Sequence, residues 1–162
     1  MKPGEVGETV DGIEIASMGL DDIAQVAAIE ADSMASPWST RSFYTELTEN
    51  VCACYIVARA GRRVLGYAGM WLLIDEAHVT NLVVHPDHRG RGIGSRLLAE
   101  LLNRACSRGA RRMTLEVRRS NLAAQRLYQR FGFVPRGVRR GYYSDTREDA
   151  IVMWKEDISP LR

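Results

Sequence analysis

Residues 77–105 read AHVTNLVVHPDHRGRGIGSRLLAELLNRA, and this stretch decides the fold. Its first eight residues form a strand-like run that His85 and Pro86 stop. Glycines follow at alternate positions, Gly90, Gly92 and Gly94. Beyond them Ile93, Leu97, Leu98, Leu101, Leu102 and Ala105 make an apolar stripe at helical spacing, and Gly109 is the expected stop. Glycine admits positive φ and lets a ligand reach backbone amides without a Cβ in the way. The first turn of a helix has unpaired N–H groups and partial positive charge, both suited to phosphate. Arg89 and Arg91 add full charges, so strand, loop and helix together predict a pyrophosphate site. The loop lacks the Gly-Lys-Ser/Thr ending of a nucleotide P-loop. A dinucleotide site would sit near the start of a series of βα units; here hairpins precede the loop and too few such units follow.

Working outward, residues 13–16 alternate like a short strand. Residues 20–34 place Ile23, Val26, Ala27 and Ile29 or Glu30 near helical spacing, with Asp21 and Asp22 in the first turn, where the helix dipole favours them. Ser36 and Pro37 interrupt, and Ser39 is positioned to cap a second helix carrying Phe43, Tyr44 and Leu47. Residues 52–59 and 64–73 read as a hairpin. Downstream, residues 113–117 read as a strand, and Asn121 caps a helix bearing Leu122, Ala123, Leu127 and Tyr128 that Gly132 ends. Short strands are expected over residues 134–139 and 149–154. The order β-α-α-β-β-β-α-β-α-β-β implies a mixed sheet covered by helices, an α/β (α+β) three-layer domain. Residues 1–12 are expected to be a mobile extension and residues 13–162 one domain.

The 162 residues are 46% apolar and 26% charged, which fits one globular domain and argues against disorder or a fibrous repeat. No apolar run approaches the ~20 residues that span a bilayer, and the acidic N-terminus does not read as a secretory signal. Three cysteines are too few for a disulfide framework and fit a reducing cytoplasm. The net charge of +2 is unevenly spread. Residues 1–50 carry two basic and ten acidic side chains, whereas residues 89–140 carry fourteen arginines against Glu100 and Glu116. A basic segment serves nucleic acid or a small polyphosphate equally well; no recognised nucleic-acid motif accompanies this one.

A second constellation runs from Leu115, Glu116 and Val117 through Arg118, Ser120 and Asn121 to Tyr128. With it, the chain resembles the GNAT N-acetyltransferases. His85 to Gly94 is similar to that family's acetyl-CoA motif. Leu115-Glu116-Val117-Arg118-x-Ser120-Asn121, then Ala124, Leu127-Tyr128 and Phe131-Gly132-Phe133, resembles its protein N-terminal branch. Arg140-Gly141-Tyr142-Tyr143, the Glu148-Asp149-Ala150 ending with Met153, and Pro37-Trp38-Ser39 extend the likeness to the bacterial RimI type, the ribosomal-protein-alanine N-acetyltransferases. The resemblance covers roughly residues 13–155.

The resemblance implies a mostly antiparallel sheet with helices on both faces and acetyl-CoA as co-substrate. Leu82, Val83 and Val84 would offer backbone groups to the pantetheine arm, and Arg89, Gly90, Arg91, Gly92, Ile93, Gly94 and Ser95 would cradle the pyrophosphate. Asn121 would contact coenzyme A, and Tyr128 would sit beside its sulfur as general acid. Glu116 would be the general base, its pKa raised by burial. Pro37 and Trp38, with Tyr142 and Tyr143, would flank the groove for a protein N-terminus, that of a basic ribosomal protein. A monomer is expected, with no membrane and no direct nucleic-acid partner.

Blander readings stand beside these. Glu116 also fits a structural ion pair with Arg118 or Arg112, Tyr128 a core position, and Trp38 a packing role; Tyr142 and Tyr143 fit sheet packing as well as peptide contact. Asn121 suits a helix cap and a cofactor contact at once. Cys52-x-Cys54 with His85 and His88 lacks the paired spacing of a zinc site, so no metal is expected and the cysteines read as small hydrophobes. Competing functions are a relaxed-specificity protein or small-amine acetyltransferase, and a non-catalytic acyl-CoA-binding module.

Overall fold

The computed structural model describes residues 9–159. Seven strands and four α-helices follow the expected order: β1 (Glu14–Ser17), α1 (Ile23–Ser33), α2 (Thr40–Thr48), β2 (Ala53–Ala60), β3 (Arg63–Leu73), β4 (Glu76–Val84), α3 (Ile93–Ser107), β5 (Arg112–Arg118), α4 (Leu122–Arg130), β6 (Val134–Tyr143) and β7 (Glu148–Lys155). The strands form one sheet in the order β1-β2-β3-β4-β5-β7-β6. Only β4 and β5 run parallel.

Two apolar layers sandwich the sheet. On one face Leu97, Leu98 and Leu101 of α3 meet Ile56, Met70, Met113 and Leu115, and each such buried side chain contributes about 1.5–3 kcal/mol. On the other, Val26 and Ile29 of α1 and Phe43 of α2 cover Tyr55, Val57 and Tyr67. Among the described residues no helix is long and apolar enough to cross a membrane.

Local chemistry sets the helix ends. Ser39 and Asn121 cap α2 and α4, accepting from the amides of Ser42 and Ala124 at 3.1 Å each. Gly109 and Gly132, at φ 91° and 90°, end α3 and α4 in matching motifs: the amide of Ala110 donates to the Ala105 carbonyl, and that of Phe133 to the Tyr128 carbonyl. The second motif also stacks Phe133 on Tyr128, with ring centroids 5.8 Å apart.

Two details depart from the sequence reading. The expected mobile extension falls mainly on residues 1–8, outside the described residues. Residues 10–12 belong to the fold: Val10 and Ile13 exchange backbone hydrogen bonds across Asp11 (φ 53°) and Gly12 (φ 75°), the positive-φ pair a tight hairpin turn needs. Arg96 of α3 holds that turn by the Ile13 carbonyl at 3.0 Å. The helix expected over residues 20–34 begins as a separate 3₁₀ turn at Leu20–Asp22, because Asp22 folds back to accept from the Gly19 amide.

Gly69 pairs with Tyr55 across β2 and β3, and a Cβ there would lie 2.1 Å from the Tyr55 ring. That ring is buried, and its hydroxyl donates to Glu46 at 2.8 Å, so it has nowhere to retreat. Gly69→Ala is therefore expected to cost about 1–3 kcal/mol of stability by overpacking. Chemical denaturation checks this; an unchanged midpoint means the ring can move aside.

Candidate active site

β4 and β5 stay paired for only three residues, from Glu76 with Arg112 to His78 with Thr114. Just beyond lies a bulge: Gly69 and Met70 of β3 pair with Asn81 and Val79, leaving Thr80 over. The extra residue bends the strand and reverses its alternation. Ala77 and Val79 face the α3 layer before it, whereas Leu82 and Val84 pack against that layer after it. β4 thus swings away from β5, and the backbone edge of Leu82, Val83 and Val84 that faces away from β3 lines the opening.

The glycine loop lies at one mouth of this gap. From Arg89 to Ser95, seven successive backbone amides have no acceptor among the described residues; the first amide engaged is that of Arg96, bonded to the Gly92 carbonyl at 3.1 Å. Gly90 and Gly92 take φ of 80° and 77°, and a Cβ on either would meet nothing within 4 Å. Gly92 is the residue from which the fifteen-residue α3 starts. Unpaired amides, a helix N-terminus and open approach suit a pyrophosphate. Arg89 and Arg91 are exposed beside it, and Arg89 is steadied by the Val84 carbonyl at 3.2 Å. The Cα of Gly94 faces the protein, where a Cβ would be in ordinary contact with Leu127 of α4 at 3.5 Å.

Glu116 lies on the opposite face of the sheet. Met113, Leu115 and Val117 of β5 face the α3 layer, so Glu116 points away from it. Its side chain is only 8% exposed, with Oε2 2.6 Å from His78 Nε2 and Oε1 3.5 Å from Arg139 Nε. Burial pushes this carboxyl up, but the His78 hydrogen bond and the His78 and Arg139 charges outweigh it, and the group sits below its usual value. The expected upward shift is thus overturned. Neither Arg118 nor Arg112 is its partner: Arg118 pairs with Asp145 and Glu148, and Arg112 with Asp75 and Glu76.

Tyr128 is buried in the core on the α3 side. Burial first, and the nearby Tyr143 second, push its phenol well up, so it is a neutral donor at physiological pH. Tyr143 also feels Glu116, and burial raises it to about 12. Asn121 caps α4 as expected.

Trp38 is half-buried. Its ring packs 5.4 Å from Phe43, and it also lines an open groove of about 490 Å³ with Ser39, Arg41, Ser42, Thr45, Glu46 and Trp71. Pro37 is exposed beside the groove without lining it. Tyr142 is exposed, and Tyr143 lies under the Arg118 guanidinium at 4.0 Å.

Several residues of the site escaped the sequence reading. His78 meets Glu116 only because β4 and β5 are parallel neighbours in that register. Glu46 gathers the Tyr55 hydroxyl, the Trp71 indole and the Asn50 amide at 2.7–2.8 Å. Asn81, 8% exposed, follows the bulge and shares the Val83 face, with an Oδ1 that lacks a partner among the described residues. The one available signal was that His78, Thr80 and Asn81 interrupt an otherwise apolar strand.

The comparisons with known proteins agree with this geometry. Residues 23–133 match the model of the Acetyltransferase (GNAT) family. A protein of Bacillus subtilis, assigned provisionally as a [ribosomal protein bS18]-alanine N-acetyltransferase, is 44% identical over 140 residues, covering 86% of this chain and 93% of its own. The [ribosomal protein bS18]-alanine N-acetyltransferase of Escherichia coli K12 is 35% identical over 141 residues, covering 86% and 94%. The crystal structure of the ribosomal-protein-S18-alanine N-acetyltransferase from Escherichia coli superposes with a TM-score of 0.81 at 33% identity, covering 93% of this chain and 96% of that one. A sheet parted at the middle, an amide-lined loop at one mouth, a buried carboxylate at the other and this degree of similarity agree: the chain belongs to the GNAT family of acetyltransferases.

Proposed function

We propose that this acetyltransferase moves the acetyl group of acetyl-CoA to the N-terminal α-amine of a protein, an N-terminal alanine of a small-subunit ribosomal protein in particular. The observation that carries the reading is the gap between β4 and β5, with an anion cradle on the α3 side and an acidic, aromatic groove on the other. Acetyl-CoA supplies the activated acyl thioester. The seven amides from Arg89 to Ser95 that lack an acceptor among the described residues, with Arg89 and Arg91, suit its pyrophosphate. The β4 edge at Leu82, Val83 and Val84 suits the pantetheine amides, and its amides are placed to stabilise charge on the thioester oxygen. Tyr128 donates a proton to the departing sulfur. An α-amine is mostly protonated at neutral pH, with a pKa near ~8, so a proton must leave before attack; the Glu116 carboxylate serves that step. The groove beside Trp38 and the tyrosines at Tyr142 and Tyr143 receive the substrate terminus. The alanine preference rests on the relatives named above and on the Arg140-to-Tyr143 and Glu148-to-Ala150 motifs.

The direct experiment is thiol release from acetyl-CoA across a peptide panel, with products identified by mass spectrometry. The panel holds a peptide beginning Ala-Arg, its N-terminally blocked form and an internal-lysine control. Acetylation confined to the free alanine terminus is the expected outcome. Transfer to the lysine control or to small amines favours the relaxed-specificity reading, and tight coenzyme binding without transfer favours a binding module.

Two substitutions test the roles. Glu116→Gln is expected to lower kcat by about 10²-fold or more, with acetyl-CoA affinity by calorimetry unchanged within about twofold; undiminished turnover at saturating substrate removes Glu116 from proton transfer. Gly92→Val forces a β-branched residue to φ 77° and projects it into the open mouth of the loop, a conformation costing roughly 1–2 kcal/mol before any clash with phosphate. Acetyl-CoA affinity is expected to fall about tenfold or more; an unaltered affinity disproves the loop assignment.

A further inference from the structure

Glu116 is a buried carboxylate whose two oxygens are already engaged, one by His78 and one by Arg139. Both partners favour its charged form, which makes it a weak acceptor for a proton from an amine. The imidazole beside it has the complementary properties. An ionised carboxylate can only accept hydrogen bonds, so at the 2.6 Å contact His78 Nε2 carries a proton, which in the neutral ring leaves the lone pair on Nδ1. Nδ1 has no hydrogen-bond partner among the described residues, and the side chain is 32% exposed.

The ring is also held in place. It stands edge-on to Trp71, at 86° and 6.4 Å between centroids. Trp71 is anchored in turn by its indole N–H to Glu46 Oε1 at 2.7 Å. His78 is the last β4 residue paired with β5, so it lies where the gap begins, and its neighbour Trp71 lines the groove. The charged and titratable groups around the pair are Glu46 from α2, Arg139, Tyr142 and Tyr143 from β6, and Glu116 itself.

We propose that His78 is the residue that takes the proton from the incoming α-ammonium, with Glu116 as the positioning carboxylate that fixes the imidazole tautomer and stabilises the imidazolium. This rests on the N-terminal acetyltransferase reading above and changes which atom does the work. The ammonium N–H proton passes to His78 Nδ1, directly or through one water, leaving a neutral amine and an imidazolium ion-paired to Glu116. The amine lone pair forms the C–N bond at the thioester carbonyl as the C–S bond breaks. The sulfur takes a proton from the Tyr128 hydroxyl, the phenol regains one from the attacking nitrogen as the amide forms, and His78 returns its proton to solvent.

The test is the pH dependence of kcat for His78→Gln, which keeps size and polarity but cannot titrate, with the Ala-Arg peptide as substrate. A base that acts only in its unprotonated form gives the wild type an acidic limb in kcat. In the variant, the ammonium must lose its proton unaided. We expect kcat at pH 7.5 to fall at least 30-fold, acetyl-CoA affinity to hold within twofold, and the acidic limb of kcat to move up by a unit or more, toward the ~8 of the free amine. Wild-type kcat with an unmoved limb overturns the proposal. So does a loss that is uniform across pH, the mark of a purely structural partner. A second measurement reads the wild-type protein without substrate: imidazole ¹⁵N shifts above the limb are expected to show the Nε2–H tautomer at His78, lost in Glu116→Gln. A dominant Nδ1–H form overturns the dyad even in an active enzyme. Absence of transfer to every peptide overturns the substrate reading instead, and the tautomer then decides the dyad.

Discussion

A parallel strand pair holds together only while its register stays regular, and β4 loses its register with β5 at the single extra residue Thr80. Both strands are tied on their far edges, β4 to β3 and β5 to β7, so neither can shift to close the gap. The first turn of α3 lies against both neighbours: a Cβ on Gly94 would be in ordinary contact with Leu127 of α4 at 3.5 Å and with Val84 of β4 at 3.8 Å. The bulge also sorts side chains by face. His78 before it and Glu116 on β5 share the groove side, while Leu82 and Val84 after it join the α3 layer. One inserted residue therefore separates the amide-lined loop from the His78–Glu116 side and leaves a gap between them.

The charge distribution means less in the folded chain than its linear segregation suggests. Much of the acidic first third is consumed internally. Glu14 and Asp22 pair with Arg59, and Glu30, 2% exposed, accepts from the Tyr67 hydroxyl and from the Trp38 amide at 2.9 Å. Arginines of the basic segment are likewise engaged: Arg104 by Glu100, Arg112 by Asp75, Arg118 by Asp145, Arg139 by Glu116. What stands open at the loop is local, namely the exposed Arg89 and Arg91 and the amides from Arg89 to Ser95 that lack an acceptor among the described residues. Glu46 remains at the groove, but three donors already bind it, so attraction of a cationic substrate by the N-terminal acids is weaker than their number implies.

The readily legible features were those whose physics is local. The glycine loop, the Ser39 and Asn121 caps and the glycine stops each depend on a few neighbouring residues, and each lies where the pattern puts it. Glu116 stood out in the sequence, but its electrostatics did not. The direction of its shift turns on His78, 38 positions away, and on Arg139 from a strand beyond its own neighbour β7. Burial of Glu30 and the Glu46 hub escaped for the same reason, since a carboxylate on an amphipathic helix reads as solvent-facing until its partners are known. The Thr80 bulge is invisible in sequence because no glycine or proline marks it.

Catalysis by positioning demands that the walls of the groove be as rigid as its floor. On the α1–α2 side that rigidity comes from two carboxylates that accept rather than ion-pair: Glu30 fastens the Trp38 backbone to Tyr67, and Glu46 fastens α2 to Tyr55 and Trp71. On the opposite side β6 is exposed almost throughout. Arg118 ties this exposed edge down: it caps the Tyr143 ring at 4.0 Å while holding Asp145 at 2.9 Å and Glu148 at 3.5 Å. Glu148 extends the chain of contacts by accepting from the Ser120 amide, one residue before the cap of α4. The helix that carries Tyr128 and the hairpin that carries Tyr142 and Tyr143 are thus braced through one guanidinium. The spacing between the buried Tyr128 phenol and the exposed β6–β7 hairpin then depends on Arg118, a residue outside the His78–Glu116 pair.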